Sequence, residues 1–183
     1  MRLMSNIAFP MLALLLALPA ATSTPEEPFK VTTVFLIRHA EKLTTPPGDP
    51  SLTASGKARA ESLTRILSKA GIKAIFTSQF QRTKETARPL AQALRITPTV
   101  VPIQVDPSDP NKVTDQSIKD LVDRINQHSG EAVLVVGHTN TIPAVIRTLG
   151  GDAIATIPET EFDNLFVVTV YEKTNAKVVQ LKY

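Results

Sequence analysis

The 183-residue sequence contains no cysteine and no tryptophan, and aromatic residues make up only 5% of it. Without cysteine, the chain forms no disulfide bond and carries no lipid on a cysteine, so its stability must come from the core alone. Hydrophobic residues, mostly aliphatic, supply 43% of the sequence. This amount is enough for one well-packed domain of ordinary α/β composition, but not for two.

The sequence also lacks any run of like charges. The formal net charge is +3 and the pI is about 9.3, and the Lys and Arg residues are scattered without interleaved aromatic side chains. This pattern argues against nucleic acid as a partner. A mildly positive surface suits a small anionic substrate instead.

The N-terminus has the layout of a secretory signal peptide, which we place at residues 1–23. A short basic start precedes the 12-residue apolar core Ile7–Leu18, and Ala21 and Ser23 stand at the positions that signal peptidases prefer. An uncleaved anchor is the alternative, but a membrane span normally needs about 20 apolar residues. We therefore expect a periplasmic or secreted protein without stable membrane insertion after cleavage, and a flexible mature N-terminus at residues 24–30.

From residue 31 to 183 the sequence predicts a single domain in which strands and helices alternate. Short β-branched runs predict strands at Val31–Ile37, Ala74–Thr77, Thr99–Ile103 and Ala132–Val136, and two more strands follow around a turn at Lys173–Ala176. Apolar residues at i, i+3, i+4 and i+7 predict four helices, whose stripes are Leu63/Ile66/Leu67/Ala70, Ala87/Leu90/Ala91/Leu94, Ile118/Leu121/Val122/Ile125 and Ile142/Val145/Ile146/Leu149. This order predicts a three-layer α/β/α sandwich with a mostly parallel central sheet.

Polar side chains follow several of the predicted strands. Arg38 and His39 come after the first strand, Ser78 and Arg82 after the second, and His138 after the fourth. Ligands of open α/β sheets bind outside the carboxyl ends of the strands, where helix N-termini also favour anions. Two of the three histidines should therefore meet at one edge of the sheet, whereas the third, at position 128, reads as a solvated or capping residue at a helix end.

These motifs resemble the histidine phosphatase superfamily, which includes the phosphoglycerate mutases. The resemblance extends from Val31 to the end of the chain, and the matching motifs, in order, are Arg38-His39-Ala40-Glu41, "LTASG" at 52–56, "TSQFQRTKETA" at 77–87 and "GHTN" at 137–140. It implies a phosphoglycerate mutase-like fold. It also implies that His39 is the nucleophile that forms a phosphohistidine, and that Arg38, Arg82 and His138 bind the transferred phosphoryl group.

The residue types fit this chemistry on physical grounds. A neutral imidazole is not repelled by the negative phosphoryl group, and a covalent intermediate splits one difficult step into two. The guanidinium fork matches the geometry of phosphate oxygens and stays charged. Phosphoryl transfer needs mainly positioning and electrostatic stabilisation, so this arrangement requires neither a metal nor a cofactor. A metal site built from His39, Glu41 and His138 is the alternative, although no further ligand stands at a suitable spacing.

Four other motif residues have structural as well as functional interpretations. Thr53 is expected to cap a helix and Gly56 to allow close packing. Ser78 and Thr139 either cap helices or contact the substrate. For Ser78 and Thr139, the role depends on whether the side chain faces the helix terminus or the ligand site.

The general acid is the point at which the sequence departs from its relatives. Some relatives carry an acidic residue directly after the second histidine, where this chain has Thr139, and others take a glutamate from the preceding segment. Here the segment Gln104–Asp115 contains aspartates but no glutamate. Asp106, the nearest of them to a strand end, is our candidate for the acid, although its Asp-Pro context is also typical of a turn. Glu41, two residues after His39, is the second candidate for the acid. Its alternative role is to orient the loop that follows His39.

The sequence thus predicts an exported, metal-independent phosphatase that hydrolyses a small-molecule or envelope phosphate ester. Only the loops at Thr44–Ser51 and Gln104–Asp115 are long enough to form a lid, so the site should be open to water and to bulky esters. A non-catalytic protein that binds phosphate ligands is the second hypothesis. A phosphosugar mutase is the third, and it fits less well because re-orienting an intermediate favours an enclosed pocket.

Overall fold

A computed structural model of the chain describes residues 30–172 and 175–183. Within these ranges the strands are β1 (Thr32–Arg38), β2 (Ile72–Thr77), β3 (Thr99–Val100), β4 (Val105–Asp106), β5 (Asp109–Val113), β6 (Ala132–Gly137), β7 (Asn164–Glu172) and β8 (Asn175–Lys182). The helices are α1 (Ala54–Leu67), α2 (Gln81–Leu94), α3 (Asp115–Asn126) and α4 (Thr141–Thr148).

Two predicted features fall largely outside the described residues. The first is the N-terminus, which comprises the predicted signal peptide at 1–23 and the segment 24–30, of which only Lys30 is described. The second is the centre of the turn between the last two strands. Among the residues that are described, no helix has both the length and the apolar character that crossing a membrane requires.

The main sheet has the strand order β3-β2-β6-β1-β7-β8. The pairs β3/β2, β2/β6 and β6/β1 are parallel, whereas β7 runs antiparallel to β1 and β8 antiparallel to β7. The prediction of a mostly parallel sheet within an α/β fold is confirmed. Because β1 and β6 are adjacent and parallel, the segments that follow them leave the sheet at the same edge.

Apolar side chains cover both faces of this sheet. On one face, α3 and α4 pack their buried residues against β1, β2, β6 and β7; on the other, α1 and α2 do so. The predicted stripes of α3 and α4 are buried throughout. The stripe of α1 was partly wrong, because Ile66 is 49% exposed, and the buried face runs instead through Gly56, Ala60, Leu63 and Leu67.

Two connections differ from the sequence-based expectation. The third strand is only two residues long, β3, rather than the five expected at Thr99–Ile103. The chain then forms a small hairpin, β4 and β5, within the predicted loop Gln104–Asp115. Short-range turn signals were visible in this loop, but the hairpin's two strands are too short to show an alternating pattern.

Candidate active site

A cavity of about 820 Å³ opens at the carboxyl edge of the parallel strands. Its lining includes Arg38, His39, Arg82 and His138. The four side chains that the sequence predicted to surround one anion therefore line one cavity. They come from three separate segments of the chain.

The register of the sheet brings the two histidines together. Arg38 at the end of β1 pairs with Gly137 at the end of β6, and the backbone N–H of His39 donates to the Gly137 carbonyl over 3.0 Å. The imidazole ring of His39 then lies 5.3 Å, centroid to centroid, from that of His138, in an edge-to-face arrangement. A Cβ at Gly137 would stand 2.9 Å from the Ile142 side chain of α4, so glycine lets this helix start close behind the strand.

His39 is held as a neutral imidazole with one nitrogen available. Its Nδ1 lies 2.8 Å from the Ala40 carbonyl oxygen, and since a carbonyl only accepts, Nδ1 carries the proton and Nε2 has the free lone pair. The pKa of His39 is lowered to about 3, chiefly by burial and to a lesser extent by the nearby Arg82 and Arg38 charges, against the opposing effect of the Ala40 hydrogen bond. The ring is therefore uncharged at neutral pH, with a lone pair available on Nε2.

His138 is oriented through its Nε2 atom, whereas His39 is oriented through Nδ1. Its Nε2 lies 2.9 Å from the Ser78 hydroxyl, which in turn lies 2.9 Å from the hydroxyl of Thr83 on α2. Burial, and after it the neighbouring His39 and Arg82, lower the pKa of His138 well below its usual range. Ser78 thus fixes the orientation of the His138 ring, which lines the cavity.

Arg82 enters from the first turn of α2. Its guanidinium carbon lies 4.2 Å from the centre of the Phe80 ring, and Nη1 lies 3.8 Å from the Asp49 carboxylate, which also accepts from the Gln81 backbone N–H over 2.7 Å. The Nε atom of Arg82 is buried and has no hydrogen-bond partner within the described residues. A buried N–H without an acceptor is costly, so this atom is suited to an anion that enters the cavity.

Arg38 is engaged far more heavily than Arg82. Its Nη1 donates to three backbone carbonyls, those of Pro158 at 3.0 Å, Glu159 at 2.8 Å and Glu161 at 3.2 Å. Its Nη2 donates to the Glu159 carboxylate, and its guanidinium carbon lies 4.4 Å from the centre of the Phe162 ring. Only Nε, which is buried, lacks an acceptor in the part of the chain that the structure describes.

Glu159 is the residue at this site that sequence reasoning missed. It belongs to the irregular segment between α4 and β7, which has no helical or strand periodicity and no motif to mark it. One carboxylate oxygen bonds Arg38 and the other accepts from the Thr139 hydroxyl over 3.1 Å. The side chain is 77% exposed, so its position depends on these two contacts and not on packing.

The two residues predicted as acid candidates lie elsewhere. Glu41 faces away from the cavity and accepts from Nε and Nη2 of Arg59, at 2.7 to 3.0 Å, and these bonds hold the pKa of its carboxyl below the usual range. Asp106 lies in the β4–β5 hairpin, where its carboxylate accepts from Ser108 and pairs with Lys112. Neither side chain lines the cavity. Glu41 thus orients the loop that follows His39, and Asp106 stabilises a turn.

The remaining motif residues take structural or supporting places. Thr53 caps α1 by accepting from the Gly56 backbone N–H over 3.0 Å. A Cβ at Gly56 would overlap the Glu41 carbonyl oxygen, so glycine is required for this close approach. Thr139 lines the cavity and bonds Glu159, while Ser78 acts through His138. Within residues 30–172 and 175–183, no three His, Asp or Glu side chains come together as metal ligands would.

Comparisons with known proteins bear on the fold and on the N-terminal half of the domain. The model of the histidine phosphatase superfamily (branch 1) matches residues 34–108. The protein histidine phosphatase SixA, solved with tungstate, superimposes with a TM-score of 0.61 at 19% identity, over 82% of this chain and 96% of that one. The fold is that of the histidine phosphatases.

Two further histidine phosphatase folds superimpose equally well. Phosphoglycerate mutase from Bacillus anthracis gives a TM-score of 0.62 at 17% identity, over 83% of this chain and 93% of that one. A mycobacterial glucosyl-3-phosphoglycerate phosphatase gives 0.61 at 11% identity, over 84% and 98%. No curated protein matches the sequence significantly. The matched range 34–108 contains Arg38, His39 and Arg82, whereas His138 and Glu159 lie beyond it and are assigned to the site by geometry.

Proposed function

We propose that the chain belongs to the histidine phosphatase superfamily and hydrolyses phosphate monoesters through a phosphohistidine on His39, without a metal ion. One observation carries the proposal. A neutral imidazole with a free Nε2 shares a cavity with two guanidinium groups, each of which has a buried Nε without an acceptor among the described residues. This arrangement combines an uncharged nucleophile with fixed cations for the phosphoryl oxygens.

The proposed reaction has two steps. In the first, Nε2 of His39 attacks phosphorus, the ester P–O bond breaks, and the leaving oxygen takes a proton from an acid at the site and departs as the alcohol. The proton on Nδ1 remains on the ring and is donated to the Ala40 carbonyl, which stabilises the positive charge that develops on the imidazole. In the second step water attacks phosphorus and gives a proton to the conjugate base of that acid, the P–N bond breaks, and Nε2 recovers its lone pair. Arg38, Arg82 and His138 bind the phosphoryl oxygens in both steps.

The shape of the cavity supports hydrolysis of a bulky ester. A second cavity of about 680 Å³ adjoins the first and shares Asn111, Asn140, Ala144 and Arg147 with it. Because the two cavities are continuous, we expect water to reach a bound phosphoryl group, and this access favours hydrolysis over a mutase reaction. The similar structures include a protein histidine phosphatase and a glucosyl-3-phosphoglycerate phosphatase. For this chain we propose a small-molecule or envelope phosphate ester as the substrate.

Export is a separate proposal, which the apolar segment Ile7–Leu18 supports. We propose that the protein acts in the periplasm or outside the cell after removal of residues 1–23. Fractionation of cells that express the full chain, with mass spectrometry of the product, tests this. Recovery of an unprocessed chain from the cytosol would contradict it.

Turnover of p-nitrophenyl phosphate tests the phosphatase proposal. We expect the protein to release phosphate from this ester, to be inhibited by vanadate and to be indifferent to EDTA. The variant His39→Ala should lose turnover while retaining its fold, as circular dichroism would show. Tight binding of phosphate esters without hydrolysis of this activated ester would favour the non-catalytic binding protein instead.

A further inference from the structure

The Glu159 carboxylate occupies the place on Arg38 where an incoming anion would bind. Nη1 of Arg38 is used by backbone carbonyls, and Nη2 is used by this carboxylate. Nε alone of the three guanidinium nitrogens lacks an acceptor among the described residues, so a phosphoryl group that binds Arg38 through both Nε and Nη2 must displace the carboxylate from Nη2. Because the Glu159 side chain is mostly exposed, it moves aside without disrupting any packing.

The displaced carboxylate would remain next to the bound ester. The backbone of Glu159 is anchored, since its carbonyl accepts from Nη1 of Arg38 over 2.8 Å and the neighbouring Pro158 carbonyl does the same. Thr139, directly after His138, holds the other carboxylate oxygen over 3.1 Å. Glu159 also belongs to the lining of the cavity, on the side formed by residues 156–159. The carboxyl group is thus confined to the rim of the cavity, where the alcohol portion of an ester would lie.

We propose that Glu159 is the proton donor to the leaving oxygen, an inference that rests on the proposed phosphatase function. A doubly negative phosphoryl group at Arg38 repels the adjacent carboxylate, and this repulsion is relieved when the carboxylate accepts a proton. The substrate supplies it, because a phosphate monoester loses its second proton only at a pH of about 6 and part of it arrives as the monoanion.

The proton balance closes over the two steps. As the bond from His39 Nε2 to phosphorus forms and the ester P–O bond breaks, the Glu159 carboxyl gives its proton to the departing oxygen and becomes a carboxylate. In the second step this carboxylate takes a proton from the attacking water while the P–N bond breaks. Glu159 ends the cycle protonated, and release of that proton as product leaves restores the pair with Arg38.

Leaving-group dependence distinguishes a proton donor from other roles. An alkyl phosphate expels a poor leaving group that needs a proton, whereas p-nitrophenolate leaves without one. In Glu159→Gln we expect hydrolysis of an alkyl phosphate, such as glycerol 2-phosphate, to fall by about 10²–10⁴-fold, the usual contribution of general acid catalysis. Hydrolysis of p-nitrophenyl phosphate should change little.

Asp163→Asn is the matched control, because Asp163 lies in the same segment, is half-buried, and pairs with Lys182 outside the cavity. It removes the same negative charge and should leave both rates unchanged. Equal losses on both substrates in Glu159→Gln would reduce Glu159 to a positioning residue and overturn the inference. Equal gains would overturn it too, since Glu159 would then only compete for Arg38. If the wild type hydrolysed neither ester, the phosphatase proposal would fail, and this inference with it.

Discussion

The two sides of the cavity are built in different ways. One side consists of strand ends and helix starts, and its Arg38, His39 and His138 are at most 8% exposed. The other is the irregular segment before β7, whose Glu159 side chain is 77% exposed. The first side is fixed by sheet register and by the core, whereas the second is held mainly by its bonds to Arg38. The proposed nucleophile, His39, thus lies on the rigid side, and Glu159, which we expect to move, lies on the other.

Substitution of the two arginines should have the largest effect and tests the difference between the two sides most strongly. Arg38 and Arg82 are both expected to bind the phosphoryl group, so Arg38→Ala and Arg82→Ala should each lower kcat/KM by about 10²–10³-fold, the usual cost of losing one transition-state donor. Of these two arginines, Arg38 is the one that donates hydrogen bonds to the backbone of residues 158–161. Hydrogen exchange of the Glu161 amide, which donates to Pro158, should therefore speed up in Arg38→Ala and not in Arg82→Ala.

The outcome of that experiment is decisive for the division into two sides. If the exchange rates of residues 158–161 respond equally to both substitutions, Arg38 does not hold the segment. If neither changes, the segment is stabilised by other contacts, such as that between Lys182 and Glu161. Either result would remove the proposed link between the rigid and the movable side.

Acidification should weaken the rigid side, because it contains buried neutral histidines. The folded-state pKa of His39 is about 3, against an ordinary value of 6.5. Between these values the unfolded chain binds a proton at this residue that the folded chain does not, so the free energy of unfolding falls as the pH falls from about 6.5 to about 3. At pH 4.5 the loss from His39 alone should be about 2–3 kcal/mol.

Urea unfolding at pH 7.5 and pH 4.5, in buffers without phosphate, measures this effect. His39→Asn has no titratable group at the position, so the fall in its stability should be smaller than that of the wild type. Carboxylates that lose their pairs at low pH affect both proteins alike and cancel in the comparison. Parallel losses in the two proteins would show that His39 is not buried in its neutral form.

The rigid side could be predicted from the sequence, and its position follows from general rules. β-branched runs predicted β1 and β6, and parallel neighbours end at one edge of a sheet, which placed His39 near His138. Arg82 was predicted at the same edge because the segment Thr77–Arg82 follows the second predicted strand. The fold was thus predictable, because burial on one face of a helix or strand produces a periodic pattern of apolar residues in the sequence.

The other side of the cavity has no periodic pattern in the sequence from which it could be predicted. Glu159 lies 120 residues from His39 in the sequence, in a segment without periodicity, and it reaches the site only through bonds to Arg38 and Thr139. Asp106 was chosen as the acid because it lies near a strand end, but the chain turns there into the β4–β5 hairpin. Exposed side chains in irregular segments are positioned by contacts that cannot be read locally.

Trapping the covalent intermediate tests the central claim most directly. Protein mixed with p-nitrophenyl phosphate, quenched rapidly in alkali to preserve phosphohistidine and digested, should carry one phosphoryl group on the peptide that contains His39. The adduct should be labile to acid and absent from His39→Ala. Unlabelled His39 during steady turnover, or a phosphoryl group on His138 instead, would contradict the account.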